Sequence, residues 1–309
     1  MKRRKLSKVI FGLFSFFLMI SLVVSPISCD SSSASSSSPA SKERLRVATT
    51  TSLYDTGLWG YLEPLFEEKY GVELNVMYAG TGKALELGRR GDVDAVTVHS
   101  KAREEQFIND GYGVKRVPFA YNYFLIVGPE TDPANIKGMA PEAAFRKLLE
   151  SGESSFVSRG DDSGTHDKEK AIWQAAGYDN ETARTSGVWY IEAGAGMGHT
   201  LMMANEKQAY TLTDIGTYLS YKFRLELDVH VDENMLELVP TIDSGDILLN
   251  VYSAIAVNPE NVNMLNPEMT LNLVTFLTSP EIQEQIGKYR VDEYGLQLFV
   301  PYIGNEPIK

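Results

Sequence analysis

The 309-residue chain is longer than one ordinary domain, and 43% hydrophobic with 23% charged residues is the balance of a globular protein with a core to fill. Its formal net charge of −12 becomes −17 when the five basic residues of 1–28 are set aside, a surface that excludes nucleic acid and anionic membrane as general partners. The single cysteine, Cys29, excludes an intrachain disulfide and a cysteine-built metal centre.

The chain opens with "MKRRKLSK", which is basic, then "VIFGLFSFFLMISLVV", which is apolar, then "SPISC", which is small. That order reads as a signal peptide over residues 1–28, with an apolar run short for a membrane span. Bacterial lipoproteins are cleaved just before a cysteine that then carries the lipid, so Cys29 is the expected attachment point. Pro26 stands where such a cleavage motif usually has Leu, which leaves an uncleaved anchor or a secreted form as alternatives. Residues 29–43 form a Ser-rich polar tether, and the predicted location is extracytoplasmic, in the periplasm or on the outer face of the cell membrane.

From there "LRVATTT" predicts a strand ending in hydroxyls, and "SLYDTGLWGYLEPLFEEKYG" one helix stopped by Gly71. "VELNVMYAG", "TGKALELGRRG" and "VDAVTVHS" continue as strand, helix and strand, the β-α-β-α-β order of a parallel α/β sheet. In such sheets ligands sit where strand ends lead into helix N-termini. The middle repeats the pattern in "SSFVSRGDDSGTHDKEKAIWQAAG", "WYIEAGAGMGHTLMMANEKQ" and "AYTLTDIGTYLSY". Two aromatic-led apolar segments, "YNYFLIVGPETDP" and "NVYSAIAVNPENV", are predicted to pair as strands near a hinge. The expected division is a first lobe of 44–129 plus 250–309 and a second of 130–249, with "MTLNLVTFLTSPEIQEQIGKY" packing back on the first lobe as helices.

Several of these strand ends carry donors. Thr49, Thr50, Thr51 and Ser52 place four hydroxyls at a helix start, where the first-turn N–H groups lack intrahelical acceptors. Arg159 supplies a guanidinium fork suited to a tetrahedral oxyanion, with Ser163, Gly164 and Thr165 opening the next helix. Each feature has an ordinary reading beside this one. The hydroxyls cap helices, Arg159 pairs with Asp161 or Asp162, and Gly194, Gly196 and Gly198 serve packing. Lys83 reads as solvated; the histidines His99, His166, His199 and His230 read as polar loop residues, three of them beside the donor loops where a supporting role stays open; and Trp59, Trp173 and Trp189 read as core rather than as a sugar groove. The stretch from 157 to 173 has no G-x-x-x-x-G-K-[ST], Ser163 is not in G-x-S-x-G, the glycines are spaced G-x-G-x-G, and no H-E-x-x-H occurs. These absences argue against a nucleotide loop, a hydrolase elbow, a dinucleotide site and a zincin centre.

Together, "ATTTSLYDTGL", "GTGKAL", "DAVTVHSKAREEQFINDGYGVKR", "YNYFLIVGPETDPANI", "SRGDDSGTHDKE", "GMGHTL" and "YTLTDIGTYL" resemble the tungstate-specific substrate-binding proteins of ABC importers. The resemblance implies a type II, two-lobed periplasmic-binding-protein fold, each lobe a mostly parallel α/β sheet flanked by helices, closing on the anion in a cleft. It implies a monomer without enzymatic activity or cofactor that delivers tungstate, or molybdate, to a membrane permease. Carried onto this chain, the family's ligand-holding residues are Thr50, Thr51 and Ser52 with Arg159, Ser163, Gly164 and Thr165. Thr81 and the amides of Gly196 and Met197 follow from the related molybdate binders, and Ile215 departs from the pattern where Arg is expected. Tungstate near neutral pH offers only acceptors, which suits a site made of donors. Asp161 and Asp162 keep open a phosphate-binding alternative, since phosphate retains a proton, and a phosphate-ester enzyme using Ser163 or His166 is a more distant one.

Overall fold

The computed structural model describes residues 43–224, 237–239, 246–263 and 266–302. The expected signal peptide, Cys29, nearly all of the tether and His230 lie outside the described residues. The first elements are β1 (Arg44–Thr50), α1 (Thr51–Asp55), α2 (Leu58–Tyr70), β2 (Glu73–Ala79), α3 (Thr81–Arg89), β3 (Ala95–Val98) and α4 (Lys101–Asn109). The long β4 (Gly113–Gly128) leads to α5 (Pro141–Ser151), β5 (Phe156–Ser158), α6 (Gly164–Ala175), α7 (Asn180–Thr185) and β6 (Tyr190–Glu192). Then come α8 (Met197–Lys207), β7 (Tyr210–Asp214), α9 (Ile215–Arg224), β8 (Glu237–Val239), β9 (Leu249–Val257), α10 (Pro267–Thr278), α11 (Pro280–Lys288), α12 (Val291–Tyr294) and β10 (Val300–Pro301). Among the described residues no helix is long and apolar enough to cross a membrane.

The strands follow the order β2-β1-β3-β9-β4-β7-β5-β6, with β8 and β10 also pairing along β4. At one end β1 is parallel to β2 and β3, and at the other β5 is parallel to β6 and β7, as the strand-helix alternation predicts. Between them the sheet is antiparallel, so it is mixed as a whole. The physical reason is that β4 carries the chain from one end of the sheet to the other and β9 carries it back. Tyr121 opposes Val251, and Tyr123 opposes Leu249. Beyond that register β4 leaves β9 and pairs with β7 and β8 through Phe124 to Gly128.

The helix expected after β1 is two helices. Thr56 Oγ1 donates to Leu53 O at 2.7 Å and accepts from Leu58 N at 3.3 Å, closing α1 and starting α2. Gly57 turns the chain at φ 79°, and a Cβ there would sit 2.8 Å from Tyr289 Oη. As a result α1 is a short element that aims Thr50 to Ser52 independently of the longer helix behind it. Trp59 of α2 supports the same strand end by donating to Thr49 Oγ1 at 3.0 Å.

Three apolar clusters hold these pieces. The largest joins β1, α2 and the C-terminal helices through Trp59, Phe66, Phe276 and Phe299. A second lies around Phe145, Phe156, Trp173 and Trp189, and a third packs Phe107, Val96 and Ile255 beneath α3 and α4. All three tryptophans are core residues, as their spacing suggests, and none lines an aromatic groove.

Candidate functional site

Each donor-bearing strand end leads, directly or through a short loop, into a helix. Thr50 is the N-cap of α1, with its hydroxyl accepting from Leu53 N, and Thr51 is the first helical residue. Thr81 opens α3 behind Gly80, and Met197 opens α8 behind Gly196; neither glycine caps with a side chain, so the first-turn N–H groups have no side-chain cap from that position. Ser163 caps α6 by accepting from His166 N at 3.1 Å, leaving Gly164 and Thr165 as its first residues.

Contacts between elements far apart in the chain draw several of these ends together. Gly164 N–H donates to Thr81 Oγ1 at 3.0 Å, and Gly82 N–H donates to Asp162 O at 3.3 Å. Ser52 Oγ lies 3.1 Å from His99 Nε2, while a Cβ on Gly164 would stand 3.0 Å from His99 Cε1 and 3.2 Å from Thr81 Oγ1. A Cβ at 164 would be crowded by these two groups, which would have to give by a few tenths of an ångström to admit it. Thr50, Ser52, Thr81, Ser163 and Thr165 are all buried.

Arg159 is 3% exposed, and its Nη2 donates to Asp161 Oδ2 at 2.6 Å. Its charge is felt at two further residues. It helps lower the pKa of His99, and it opposes the upward shift that burial imposes on Asp214. Arg159 is therefore a neighbour of both strand ends as well as of its own loop. Its Nε and the hydroxyl of Thr165 are buried without a hydrogen-bond partner. Such donors are rare in folded proteins and call for an acceptor that the described residues do not supply.

The loop that presents Arg159 is built from behind. Glu169 of α6, fully buried, accepts from Ser158 Oγ at 2.7 Å, Tyr190 Oη at 2.6 Å and Trp173 Nε1 at 3.2 Å. Burial raises the Glu169 pKa, while these donors work in the opposite direction. Ser158 Oγ in turn accepts from Gly160 N at 3.0 Å, and Gly160 bends the chain at φ 57° with Glu192 packed against it.

The carboxylates of this segment are occupied. Asp161 is held by Arg159, while Asp162 and Asp167 are both held by Arg103 of α4. Asp167 also accepts from Ser100 Oγ at 2.9 Å. Asp214 is spent capping α9, accepting from Thr217 N at 2.9 Å and Thr217 Oγ1 at 2.6 Å. Ile215 follows as the first residue of α9, packed against the largest core cluster.

The remaining expected residues are less directly connected. Gly196 and Met197 head α8, which packs on α1, but no hydrogen bond among the described residues links them to Ser52, Thr81 or Gly164. Gly198 is a packing glycine, since a Cβ there would overlap the Tyr221 ring. Lys83 is exposed and lines an outer hollow with Arg103 and Asp162. Among the histidines, His199 is exposed and His166 is buried with Nδ1 against Asp161 O. His99 is the departure from expectation. It is no surface loop residue but lies under Ser52 with Nδ1 2.8 Å from Asn250 Oδ1, its pKa pulled down to about 4 chiefly by burial. The sequence places His99 beside a donor loop with a supporting role open, whereas Asn250, Arg103 and Asp214 were missed as site neighbours, because their partners come from remote parts of the chain.

A family model described as the PBP superfamily domain matches residues 33–281. The tungstate-binding protein TupA of Peptoclostridium acidaminophilum is 42% identical over 263 residues, covering 84% of this chain and 86% of that protein. The chain belongs to this family of tungstate-binding proteins within the PBP superfamily. Among solved structures of the family, TupA from Desulfovibrio alaskensis G20 superposes with a TM-score of 0.69 at 38% identity, over 84% of this chain and 99% of that one. The tungstate ABC transporter protein from Geobacter sulfurreducens gives 0.68 at 42% identity, over 80% of this chain and 99% of that one. The periplasmic-binding-protein fold expected from the sequence is thus the fold of the family to which the chain belongs.

Proposed function

We propose that the chain is the extracytoplasmic substrate-binding protein of an ABC importer and that it captures tungstate where these strand ends meet. The observation that carries the reading is the pair of buried donors without acceptors, Arg159 Nε and Thr165 Oγ1, beside the Ser52, Thr81 and Gly164 contacts. A proton-free dianion supplies the missing acceptors. Thr50, Thr51 and Ser52 hold it from the β1 end, Thr81 from α3, and Arg159, Ser163, Gly164 and Thr165 from the β5 end. The Gly196 and Met197 amides complete the set at α8. Arg159 contributes most, because a charge-assisted bond from a buried fork is stronger than a neutral one.

In this reading residues 44–129 with 250–309 form one lobe and 130–249 the other, hinged where β4 and β9 pass between them. The anion binds first to one lobe, and closure of the other excludes water and strengthens each bond. The permease reads the closed form. Residues 1–28 direct export, Cys29 carries a lipid anchor, and the Ser-rich tether lets a monomer reach its permease. Molybdate, of nearly the same size, is the nearest competitor.

One observation favours a second reading. Asp161 Oδ1 is buried without a donor, and a proton-bearing anion such as hydrogen phosphate has a proton to give it. Calorimetry with tungstate, molybdate, sulfate and phosphate separates the two. Tungstate is expected to bind at sub-micromolar concentration and Arg159→Ala to remove that binding; tighter binding of phosphate overturns the tungstate assignment.

A further inference from the structure

Behind Ser52 a row of polar side chains runs into the middle of the sheet. Ser52 Oγ is 3.1 Å from His99 Nε2, His99 Nδ1 is 2.8 Å from Asn250 Oδ1, and Asn250 Nδ2 is 2.8 Å from Asn122 Oδ1 and 2.9 Å from Tyr252 Oη. Ser52, Asn122, Asn250 and Tyr252 are at most 2% exposed. Asn122 on β4 and Asn250 on β9 are register partners, so the inner end of the row is fixed by the sheet. Its outer end is a hydroxyl proposed above to touch the anion.

The imidazole in this row carries one proton. Burial lowers its pKa to about 4, helped by Arg159 and Lys168 and opposed by Asn250 and Asp167; the rings of Phe124 and Tyr252 pack against it. One proton on two nitrogens gives the row a direction. An amide's nitrogen and oxygen exchange places without changing its outline, so the same distances serve two directions. In the first, the Asn250 oxygen faces His99, Nδ1 holds the proton, and Ser52 spends its hydroxyl proton on Nε2. That direction leaves Asn122 Nδ2 buried without a well-formed hydrogen bond among the described residues, because Tyr252 Oη, which it faces, already accepts from Asn250.

In the second direction both amides are turned over. Asn122 then donates to the Asn250 oxygen, Asn250 donates to His99 Nδ1, and His99 Nε2–H donates to the Ser52 oxygen. The atom left unpaired at the inner end becomes an amide oxygen, which folded proteins tolerate better than an orphaned N–H. Ser52 keeps its own proton for whatever lies outside the row.

We propose that, with the anion bound, the Asn122 and Asn250 amides hold His99 as its neutral Nε2–H tautomer, so that Ser52 keeps its hydroxyl proton for the guest. His99, Asn250 and Asn122 are positioning residues, acting through Ser52. The inference rests on the tungstate reading and deepens it. His99 takes one of the two lone pairs of the Ser52 oxygen, and Thr50 Oγ1 stands 3.3 Å from the same oxygen, so the row favours proton-free tetrahedral oxyanions over hydrogen phosphate.

The test is the tautomer of His99 in the native protein saturated with tungstate, read from proton–nitrogen correlation spectra of histidine labelled with nitrogen-15. The chain has four histidines, and the His99 signals are assigned by their absence from His99→Gln. Calorimetry on the same sample verifies saturation. Protonated Nε2 with bare Nδ1 is the expected result; a proton on Nδ1 overturns the inference while leaving tungstate binding intact. Absence of tungstate binding instead overturns the function on which the inference rests. In a second arm Asn250→Asp puts a permanent acceptor against Nδ1. Tungstate affinity is expected to fall roughly ten- to hundredfold at pH 8, the scale of one hydrogen bond to a charged group. It is expected to recover toward pH 6, as the ring facing the new carboxylate takes a second proton and regains Nε2–H. The native protein stays flat over that range. A loss that acidification does not reverse, or no loss at all, overturns the assignment.

Discussion

Single side chains at the proposed anion site are more costly to the empty protein than to the loaded one. The Thr165 hydroxyl is buried with no partner, and leaving such a group unpaired costs about 1–3 kcal/mol. Thr165→Val keeps the outline of the side chain and removes the orphan. The expected outcome is an unliganded protein at least as stable as the native one, by up to about 1 kcal/mol in urea unfolding, with tungstate affinity lower by roughly tenfold. A variant that loses both stability and affinity would show that the hydroxyl packs rather than binds. Gly160 and Gly164 belong to the same scale. One supplies the φ of 57° that turns the chain after Arg159, and the other leaves room for the His99 and Thr81 contacts.

At the scale of elements, α4 is docked on the central strands by a buried charge. Glu104 is fully buried and accepts from Arg116 Nε of β4 at 2.6 Å. Burial raises its pKa to about 7 against the pull of Arg116. A carboxyl group with a raised folded-state value stabilises fully below its unfolded value of 4.5, and that contribution is lost as pH rises through about 7. Glu104→Gln mimics the protonated form and removes the slope. The stability of the native protein relative to Glu104→Gln should therefore decline between pH 5 and pH 8, by no more than about 3 kcal/mol. Urea unfolding of both proteins at the two pH values measures it, and parallel pH profiles would refute it.

The elements also show what local patterns reveal. The β1, β2 and β3 alternation, the stop at Gly71, the β4 and β9 pairing and the donor-bearing strand ends were legible, because strand period, turn residues and hydroxyl runs are local signals. The break at Thr56–Gly57 was not, because its requirement is a contact with Tyr289, 233 residues from Thr56. The row behind Ser52 was hidden in the same way. His99 meets Asn250 across 151 positions, and a histidine beside a loop reads as polar surface until the sheet places it under the loop.

Over the whole molecule, an acidic chain proposed to bind a dianion has to keep its carboxylates from opposing the guest. Within "SRGDDSGTHD" three aspartates lie close to the proposed ligands, and arginines neutralise each of them. Arg103 serves two, Asp162 and Asp167, and it comes from α4, in the proposed first lobe, whereas both aspartates belong to the proposed second lobe. The same side chain thus cancels repulsion at the site and ties the two parts of the chain together. Arg103→Met keeps the apolar stem and removes the charge. Tungstate binding should weaken by roughly tenfold, mostly as faster dissociation, since the closed form loses its tie and two carboxylates are set free beside the anion. The deficit should shrink at high salt, where the exposed Asp162 is screened more than the partly buried Asp167. Stopped-flow release at low and high ionic strength, with small-angle scattering of the loaded protein, measures both effects. An unchanged release rate would mean that Arg103 neutralises its partners without contributing to closure.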